Sequence, residues 1–184
     1  MCGASLIGVR LSGNKIIIMS KHDTIIAIDP DVEKSGVAEL STLHRLLEVT
    51  NLSFPQLLDY LQARKEMSKT AHTSLVVVVE AGWLNRSNWH LKNSDTKRIA
   101  SAKGNSTGRN HETGRKIVEM CKHYGIEVVE HAPLRKCWRG KDGKITHEEL
   151  CNLLIDRKMG VLDRRVSQDC RDAILLALYK SGIL

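Results

Sequence analysis

The hydrophobic pattern opens with an uninterrupted apolar run within residues 24–31, which ends in a carboxylate at Asp29. A run that is apolar on both faces is typical of a central strand covered on both sides. Pro30 ends the strand, because proline cannot donate a hydrogen bond to a neighbouring strand. The pattern predicts a buried strand with Asp29 at the edge of a sheet, although an acid before proline also commonly starts a turn.

Two further apolar segments, at residues 37–40 and 46–52, join the first run in a predicted antiparallel three-strand meander. Residues 54–67 then have helical spacing, with Pro55 suited to the first turn. This helix is expected to cross over the sheet.

A second buried run at residues 74–80 also ends in an acid, Glu80. A strand reached through a crossover helix lies parallel to the strand before it. We therefore expect Asp29 and Glu80 to emerge at the same edge of the sheet.

Residues 81–115 are rich in Gly, Asn, Ser, Thr and basic residues, which predicts a long basic loop. Loops of this length inside a compact domain are usually functional or disordered. Its two tryptophans suit stacking on unpaired bases while Lys and Arg hold phosphates, and a solvated flap is the alternative. The predicted DNA contacts of this segment are Trp83, Arg86, Trp89, Lys97, Arg98, Lys103, Arg109 and Arg115.

Helical spacing resumes at residue 111, within the end of this basic segment, and predicts a helix over residues 111–124 that is closed by Gly125. A strand is predicted to follow over residues 126–129. Glu130 would end that strand as a third terminal acid, which the site need not include.

A second basic cluster precedes a helix predicted over residues 146–156, whose start is marked by the capping box of Thr146 and Glu149. Lys144, just ahead of that helix, is either a phosphate contact or a solvated charge. The cluster adds three predicted DNA contacts, Arg135, Lys136 and Arg139.

The last predicted helix, over residues 166–178, carries Asp169 and Asp172 three positions apart. That spacing stacks both carboxylates on one helical face beside the apolar stripe, where two acids repel each other. A divalent cation would resolve the repulsion.

The composition is that of one α/β domain: 184 residues, of which 42% are hydrophobic. We assign residues 22–184 to this domain and residues 1–21 to an N-terminal extension, which is either dispensable or an added strand. The net charge of +7 favours a polyanionic partner such as nucleic acid. The five cysteines form no C-x-x-C pair and no apolar run has the length of a membrane span, so reduced thiols in a cytoplasmic protein are expected.

Four features in chain order resemble the RuvC family of Holliday-junction resolvases, over roughly residues 24–180. Each feature alone occurs often by chance, whereas all of them in register are specific. They are Ile28-Asp29-Pro30, the strand ending in Glu80, the helix and strand over residues 114–130, and Asp169-Cys-Arg-Asp172-Ala173.

The resemblance implies a ribonuclease H-like fold, with a central mixed sheet of antiparallel meander and parallel strands and helices on both faces. It also implies a homodimer that cuts branched DNA with two Mg²⁺ ions, for which Mn²⁺ should substitute. The implied metal ligands are Asp29, Glu80, Asp169 and Asp172, with Asp29 bridging the ions. Lys144 corresponds to the lysine of that family and would stabilise the pentacovalent phosphate.

Two features depart from the RuvC pattern. Asp31 replaces the glycine that follows Ile-Asp-Pro, which places another carboxylate beside the site. The segment after Glu80 is longer than in bacterial RuvC and resembles divergent members carried by phages or mobile elements, which implies a bacterial or phage-infected cell. A ribonuclease acting on hybrids or a general structure-selective nuclease would share the acids, and a non-catalytic nucleic-acid-binding protein is the third alternative.

Overall fold

The computed structural model describes residues 9–12, 15–18, 21–85, 96–160 and 162–184. The first two segments pair as an antiparallel hairpin of β1 (Val9–Ser12) and β2 (Lys15–Ile18). This hairpin is a two-stranded sheet of its own, separate from the main sheet of the domain.

The main sheet contains β3 (Thr24–Asp29), β4 (Ser35–Ser41), β5 (Leu46–Leu52), β6 (Leu75–Glu80) and β7 (Val128–His131). Its spatial order is β5-β4-β3-β6-β7. Strands β3, β4 and β5 form an antiparallel meander, whereas β6 lies parallel to β3 and β7 lies parallel to β6. The predicted mixed sheet is confirmed.

Helices cover both faces of this sheet, as the apolar runs of β3 and β6 predicted. Helices α1 (Phe54–Thr70) and α2 (Lys97–His123) pack on one face, where Ile26 and Ile28 of β3 lie. Helices α3 (His147–Asp156) and α4 (Gln168–Ser181) pack on the other face with Ile25 and Ala27. Among the described helices, none is both long and apolar enough to cross a membrane.

The prediction of a loop over residues 81–115 is wrong for its second half, because α2 already begins at Lys97. Thr96 caps this helix, and the side chain of Thr96 accepts a hydrogen bond from the backbone of Ile99 at 3.4 Å. The buried residues of α2 all lie in its second half, and a helix that is anchored by packing extends through residues of weak propensity. Residues 86–95, with the predicted contacts Arg86 and Trp89, lie outside the described residues.

Strand β7 begins two residues later than predicted, so Glu130 lies inside the strand and does not end it. The reason is the end of α2. Gly125 has a positive φ of 65°, and Ile126 donates a backbone hydrogen bond of 2.8 Å to Cys121. Ile126 therefore completes the helix C-terminus, and pairing with β6 starts after it.

The starts of α3 and α4 are set by hydroxyl caps. The predicted capping box is present, because Thr146 accepts from the Glu149 backbone at 3.2 Å and Glu149 accepts from the Thr146 backbone at 3.0 Å. Helix α4 starts at Gln168, two residues after the predicted start, because Ser167 accepts from the Cys170 backbone at 3.2 Å. These caps fix the positions of Lys144, before α3, and of Asp169, in the first turn of α4.

Candidate active site

The two strand-terminal acids emerge side by side. Ile28 of β3 is paired with Val79 of β6 in the parallel register, so the next residues, Asp29 and Glu80, leave the sheet at the same edge. Both acids are half-buried. The prediction that the crossover helix brings these strands together is therefore confirmed.

Helix α4 brings the other two acids to this edge through a close approach to β4. Gly36 pairs with Asp29 across the sheet, and a Cβ atom on Gly36 would lie only 2.2 Å from the backbone carbonyl carbon of Asp169. A glycine is therefore required where α4 lies against the sheet. Asp169 and Asp172 are half-buried on the same helical face.

Gly36→Ala is expected to lower the free energy of unfolding by about 3 kcal/mol. It should also displace Asp169 and Asp172 from the site, which should abolish any reaction that depends on all four acids. The added methyl group would collide with backbone atoms of Asp169 and Cys170, which cannot move without displacing α4. Urea unfolding measures the loss, and Gly108→Ala is the control, since a Cβ atom there meets no atom within 4 Å. A Gly36→Ala protein as stable as its parent would show that α4 does not need this contact.

The four carboxylates share one electrostatic environment. Burial, then the charges of Glu80, Asp172 and Asp169, raise the pKa of Asp29 well above its ordinary value. Burial and then Asp172 raise the pKa of Glu80 to about 7. Burial raises the pKa of Asp169 as well. Asp29, Glu80 and Asp169 therefore resist ionisation, because they are shielded from water and lie near like charges.

Two lysines offset part of this negative charge. Lys144 Nζ lies 3.7 Å from Asp172 Oδ2, and the charges of Lys136 and Lys144 both lower the pKa of Glu80. These lysines line one cleft together with Glu80 and Asp172. A phosphate group in this cleft would thus meet both cations and carboxylates.

Sequence reasoning missed two residues that hold Asp172 in place. Gln168 Nε2 donates to Asp172 Oδ1 at 2.8 Å, and Arg171 NH2 donates to Gln168 Oε1 at 2.7 Å. Arg171 is itself fixed, because its guanidinium donates to the carbonyl oxygens of Ile145 at 3.1 Å and of Val166 at 2.6 Å. The sequence signal for this series of hydrogen bonds is the i,i+4 spacing of Gln168 and Asp172 on one helix.

The donor set suits a hard divalent cation in its chemistry, since Mg²⁺ prefers carboxylate oxygens and a cation would relieve the repulsion that raises these pKa values. In the present conformation, no three Asp, Glu, His or Cys side chains of the described ranges are grouped so that they could hold a metal ion. Rotation of the Asp29, Glu80 or Asp169 side chain toward Asp172, which Gln168 holds, would bring the carboxylates together around an ion.

Comparison with known proteins was made at the level of sequence and of structure. No protein-family model matches the chain, and no curated protein sequence matches it. Solved structures do match. RuvC of T. thermophilus in complex with a Holliday junction substrate is 18% identical, with a TM-score of 0.44, over 88% of this chain and 94% of RuvC.

Two further solved structures also match the chain. The Fowlpox virus resolvase in complex with Holliday junction DNA is 11% identical, with a TM-score of 0.41, over 88% of this chain and 99% of the resolvase. The large terminase nuclease of thermophilic phage G20c with bound zinc is 13% identical, with a TM-score of 0.41, over 95% of this chain and 92% of the nuclease. The described residues of the chain itself form the predicted mixed sheet, with helices on both faces.

The fifth carboxylate predicted beside the site is Asp31. Its Oδ2 atom accepts a hydrogen bond of 3.2 Å from Asn110 of α2, and its charge raises the pKa of Asp169. Asp31 thus connects the edge that carries the acids to the long basic helix.

The predicted DNA contacts fall into three groups in the structure. Lys97, Arg98 and Arg109 are exposed on α2, with Lys103 half-buried among them, and Arg135, Lys136 and Arg139 are exposed before α3. Arg135 and Lys136 line the cleft beside Glu80, whereas Arg139 does not.

Trp83 and Arg115 form the third group and contact each other. Trp83 lies in a short 3-10 turn, Gly82–Leu84, is half-buried against the core, and donates to Glu130 Oε2 at 3.1 Å. The Arg115 guanidinium lies 5.4 Å from the centre of the indole ring.

Proposed function

We propose that this chain is a metal-dependent endonuclease that hydrolyses phosphodiester bonds in branched DNA, most of all four-way junctions, and acts as a homodimer. One observation carries the proposal. Asp29 and Glu80, at the ends of adjacent parallel strands, share an electrostatic environment with Asp169 and Asp172 of α4, and Lys144 lies 3.7 Å from Asp172. An acid cluster bordered by lysines suits a phosphodiester that is attacked in the presence of divalent ions.

The four carboxylates would hold two Mg²⁺ ions, with Asp29 between them because its strand lies at the centre of the sheet. When bound, such ions supply a water that is deprotonated near neutral pH and compensate the charge on the leaving 3′ oxygen. Glu80 and Asp172 would each hold one ion, and Asp169 would assist.

The remaining polar residues would bind and orient the substrate. Lys144 and Lys136 would donate to a phosphate next to Glu80 and Asp172, and Lys144 would stabilise the negative charge on the oxygens of the pentacovalent phosphate. Gln168 and Arg171 hold the Asp172 carboxylate in one orientation, which keeps it aimed at the same point during the reaction.

The proposed dimer follows from the geometry of a four-way junction. One active site of this type makes one nick, whereas resolution needs two nicks placed symmetrically on opposing strands. A two-fold axis supplies that symmetry without any further device. The net charge of +7 favours such a polyanionic substrate.

The proposed function can be tested with four end-labelled substrates: a synthetic four-way junction, a linear duplex, a forked duplex and an RNA/DNA hybrid. With Mg²⁺ or Mn²⁺ we expect paired cuts in junction strands of like polarity, ligatable nicked products and little duplex cutting. Ca²⁺ should support binding without efficient cleavage, because its coordination is looser. Cutting of the hybrid's RNA strand would favour a ribonuclease. Asymmetric nicking of forks would favour a general structure-selective nuclease. Binding without any cutting would favour a non-catalytic nucleic-acid-binding protein.

The basic residues of α2 give a separate prediction for binding. Arg98 and Arg109 are exposed and eleven residues apart, which places them on the same side of the helix. If both contact phosphates, replacing them by Gln should reduce the log–log salt slope of duplex binding by roughly 1.8, since each lost contact is worth about 0.9. Replacing Lys69 and Lys122 by Gln, which also removes two positive charges, is the control. A slope that stays at the parent value would place the DNA elsewhere.

A further inference from the structure

One glycine of α2, Gly114, lies against residues that follow both strand-terminal acids. A Cβ atom there would lie 2.5 Å from Trp83 Cζ3, 2.9 Å from Trp83 Cη2 and 3.1 Å from Pro30 Cγ. Pro30 directly follows Asp29, and Trp83 lies three residues after Glu80. The ends of both acid-bearing strands therefore rest on the same position of one helix.

We propose that Gly114 and Trp83 are positioning residues, which set the spacing between Asp29 and Glu80 by holding the ends of β3 and β6 against α2. The inference rests on the proposed function, because it assigns a role to this spacing in metal binding and cleavage. Neither residue would touch the substrate's reacting atoms.

Several contacts hold the Trp83 indole in this place. Its Nε1 atom donates to Glu130 Oε2 at 3.1 Å, the Arg115 guanidinium lies 5.4 Å from the ring centre, and the His111 ring meets it edge-on at 6.1 Å between centroids. A ring fixed by an anchoring hydrogen bond and by two neighbours on α2 cannot turn away from Gly114 without breaking these contacts. It therefore acts as a spacer of fixed size.

Other contacts tie the same two loops to α2. A Cβ atom on Gly82 would lie 2.7 Å from His111 Nε2, so the loop after Glu80 also approaches α2 closely here. On the side of β3, Asn110 donates to Asp31 at 3.2 Å. Successive turns of α2 thus contact the loop after Asp29 and the loop after Glu80.

The spacing needs such support because the two acids repel each other. Ile28 pairs with Val79 in the parallel register, so Asp29 and Glu80 leave the sheet side by side, and two carboxylates in neighbouring positions repel each other when both are charged. A displacement of about 1 Å in a catalytic group costs on the order of 100-fold in rate. A rigid contact at Gly114 opposes that displacement.

The test compares three Gly→Ala variants of the same helix. At Gly104 and Gly108 a Cβ atom meets no atom within 4 Å, whereas at Gly114 it meets the indole ring. We expect Gly104→Ala and Gly108→Ala to keep kcat and Mn²⁺ affinity. Gly114→Ala should lower kcat by about 100-fold and weaken Mn²⁺ binding in calorimetry by about 10-fold or more, with the junction Kd unchanged.

A second pair of variants keeps the inference testable if Gly114→Ala fails to fold. Trp83→Phe removes the N–H donor and the outer ring atoms that meet Gly114, and should lower kcat and Mn²⁺ affinity in the same direction. Gly114→Ala combined with Trp83→Ala should be little worse than Trp83→Ala alone, because the ring supplies the two closest contacts of the added methyl group and Pro30 Cγ, at 3.1 Å, needs only a small shift.

Two outcomes separate the failure of this inference from the failure of the proposed function. A parent protein that cuts none of the DNA substrates contradicts the proposed function, and the Mn²⁺ affinities of the variants still test the positioning role. Parent kcat and parent Mn²⁺ affinity in both folded Gly114→Ala and Trp83→Phe would overturn the inference. A Gly114→Ala protein that is less stable than the parent but keeps its Mn²⁺ affinity and kcat would show that Gly114 is a purely structural contact. That result would also overturn the inference.

Discussion

Asp29→Asn is expected to abolish junction cleavage, with a loss of at least about 1,000-fold, while folding and DNA affinity remain. Asparagine keeps the shape of the side chain and removes the charge that would lie between the two metal ions. Burial and the neighbouring acids raise the pKa of Asp29 well above its ordinary value, so ionising it costs free energy in the folded state. The free energy of unfolding at pH 8 without metal should therefore be equal or higher in the variant.

The comparison needs a charge-matched variant outside the site. Asp59→Asn, at an exposed position of α1, removes the same charge and should leave cleavage unchanged. Cleavage of an end-labelled junction, junction binding by gel shift and urea unfolding together separate a lost metal ligand from a lost fold. A variant that still cuts at the parent rate with Mg²⁺ would exclude Asp29 from the site.

Glu80 is expected to make the metal-free protein less stable as the pH rises through about 7. Burial and Asp172 raise the pKa of Glu80 from its ordinary 4.5 to about 7 in the folded state. Between these values the folded protein holds a proton that the unfolded chain releases, so this stabilisation is complete below about pH 4.5 and is lost as the pH passes 7. The shift corresponds to a change on the order of 3 kcal/mol in the free energy of unfolding.

Urea unfolding in EDTA at pH 6 and pH 8.5 measures this effect as the difference between the parent and Glu80→Gln. The variant should be more stable than the parent at pH 8.5, should keep somewhat more than half of that advantage at pH 6, and should lose most of it in a third measurement at pH 4.5. Glu148→Gln, at an exposed position of α3, is the control. Added Mg²⁺ should stabilise the parent more at pH 8.5, where the carboxylates are free to bind it. An equal advantage of Glu80→Gln at both pH values would contradict the raised pKa.

The sheet and its two terminal acids could be predicted because the signals are local and physical. The runs that end in Asp29 and Glu80 are apolar on both faces, which requires a covered sheet, and a crossover helix requires parallel neighbours. The capping box at Thr146 likewise depends only on residues three apart. These predictions needed no knowledge of distant contacts.

The errors came from places where packing overrides local preference. Residues 97–110 have the composition of a loop, yet they are helical because the second half of α2 is buried against the sheet. The close approach at Gly36 and the support of Asp172 by Arg171 join residues that are distant in the chain or fixed by tertiary contacts. A single sequence contains no local pattern for either.

Helix α2 also sets a length scale for substrate binding. Its 27 residues correspond to about 40 Å at 1.5 Å per residue, and the residues that bury it in the core begin at Gly114. The basic first half, about 20 Å long, lies at the surface, and this length corresponds to roughly six base-pair steps along B-form DNA. Under the proposed function, a DNA branch that runs from the acids along the first half of α2 would contact this helix as far as half a helical turn from the bond that is cut. A branch that leaves the site in another direction would not meet these basic residues.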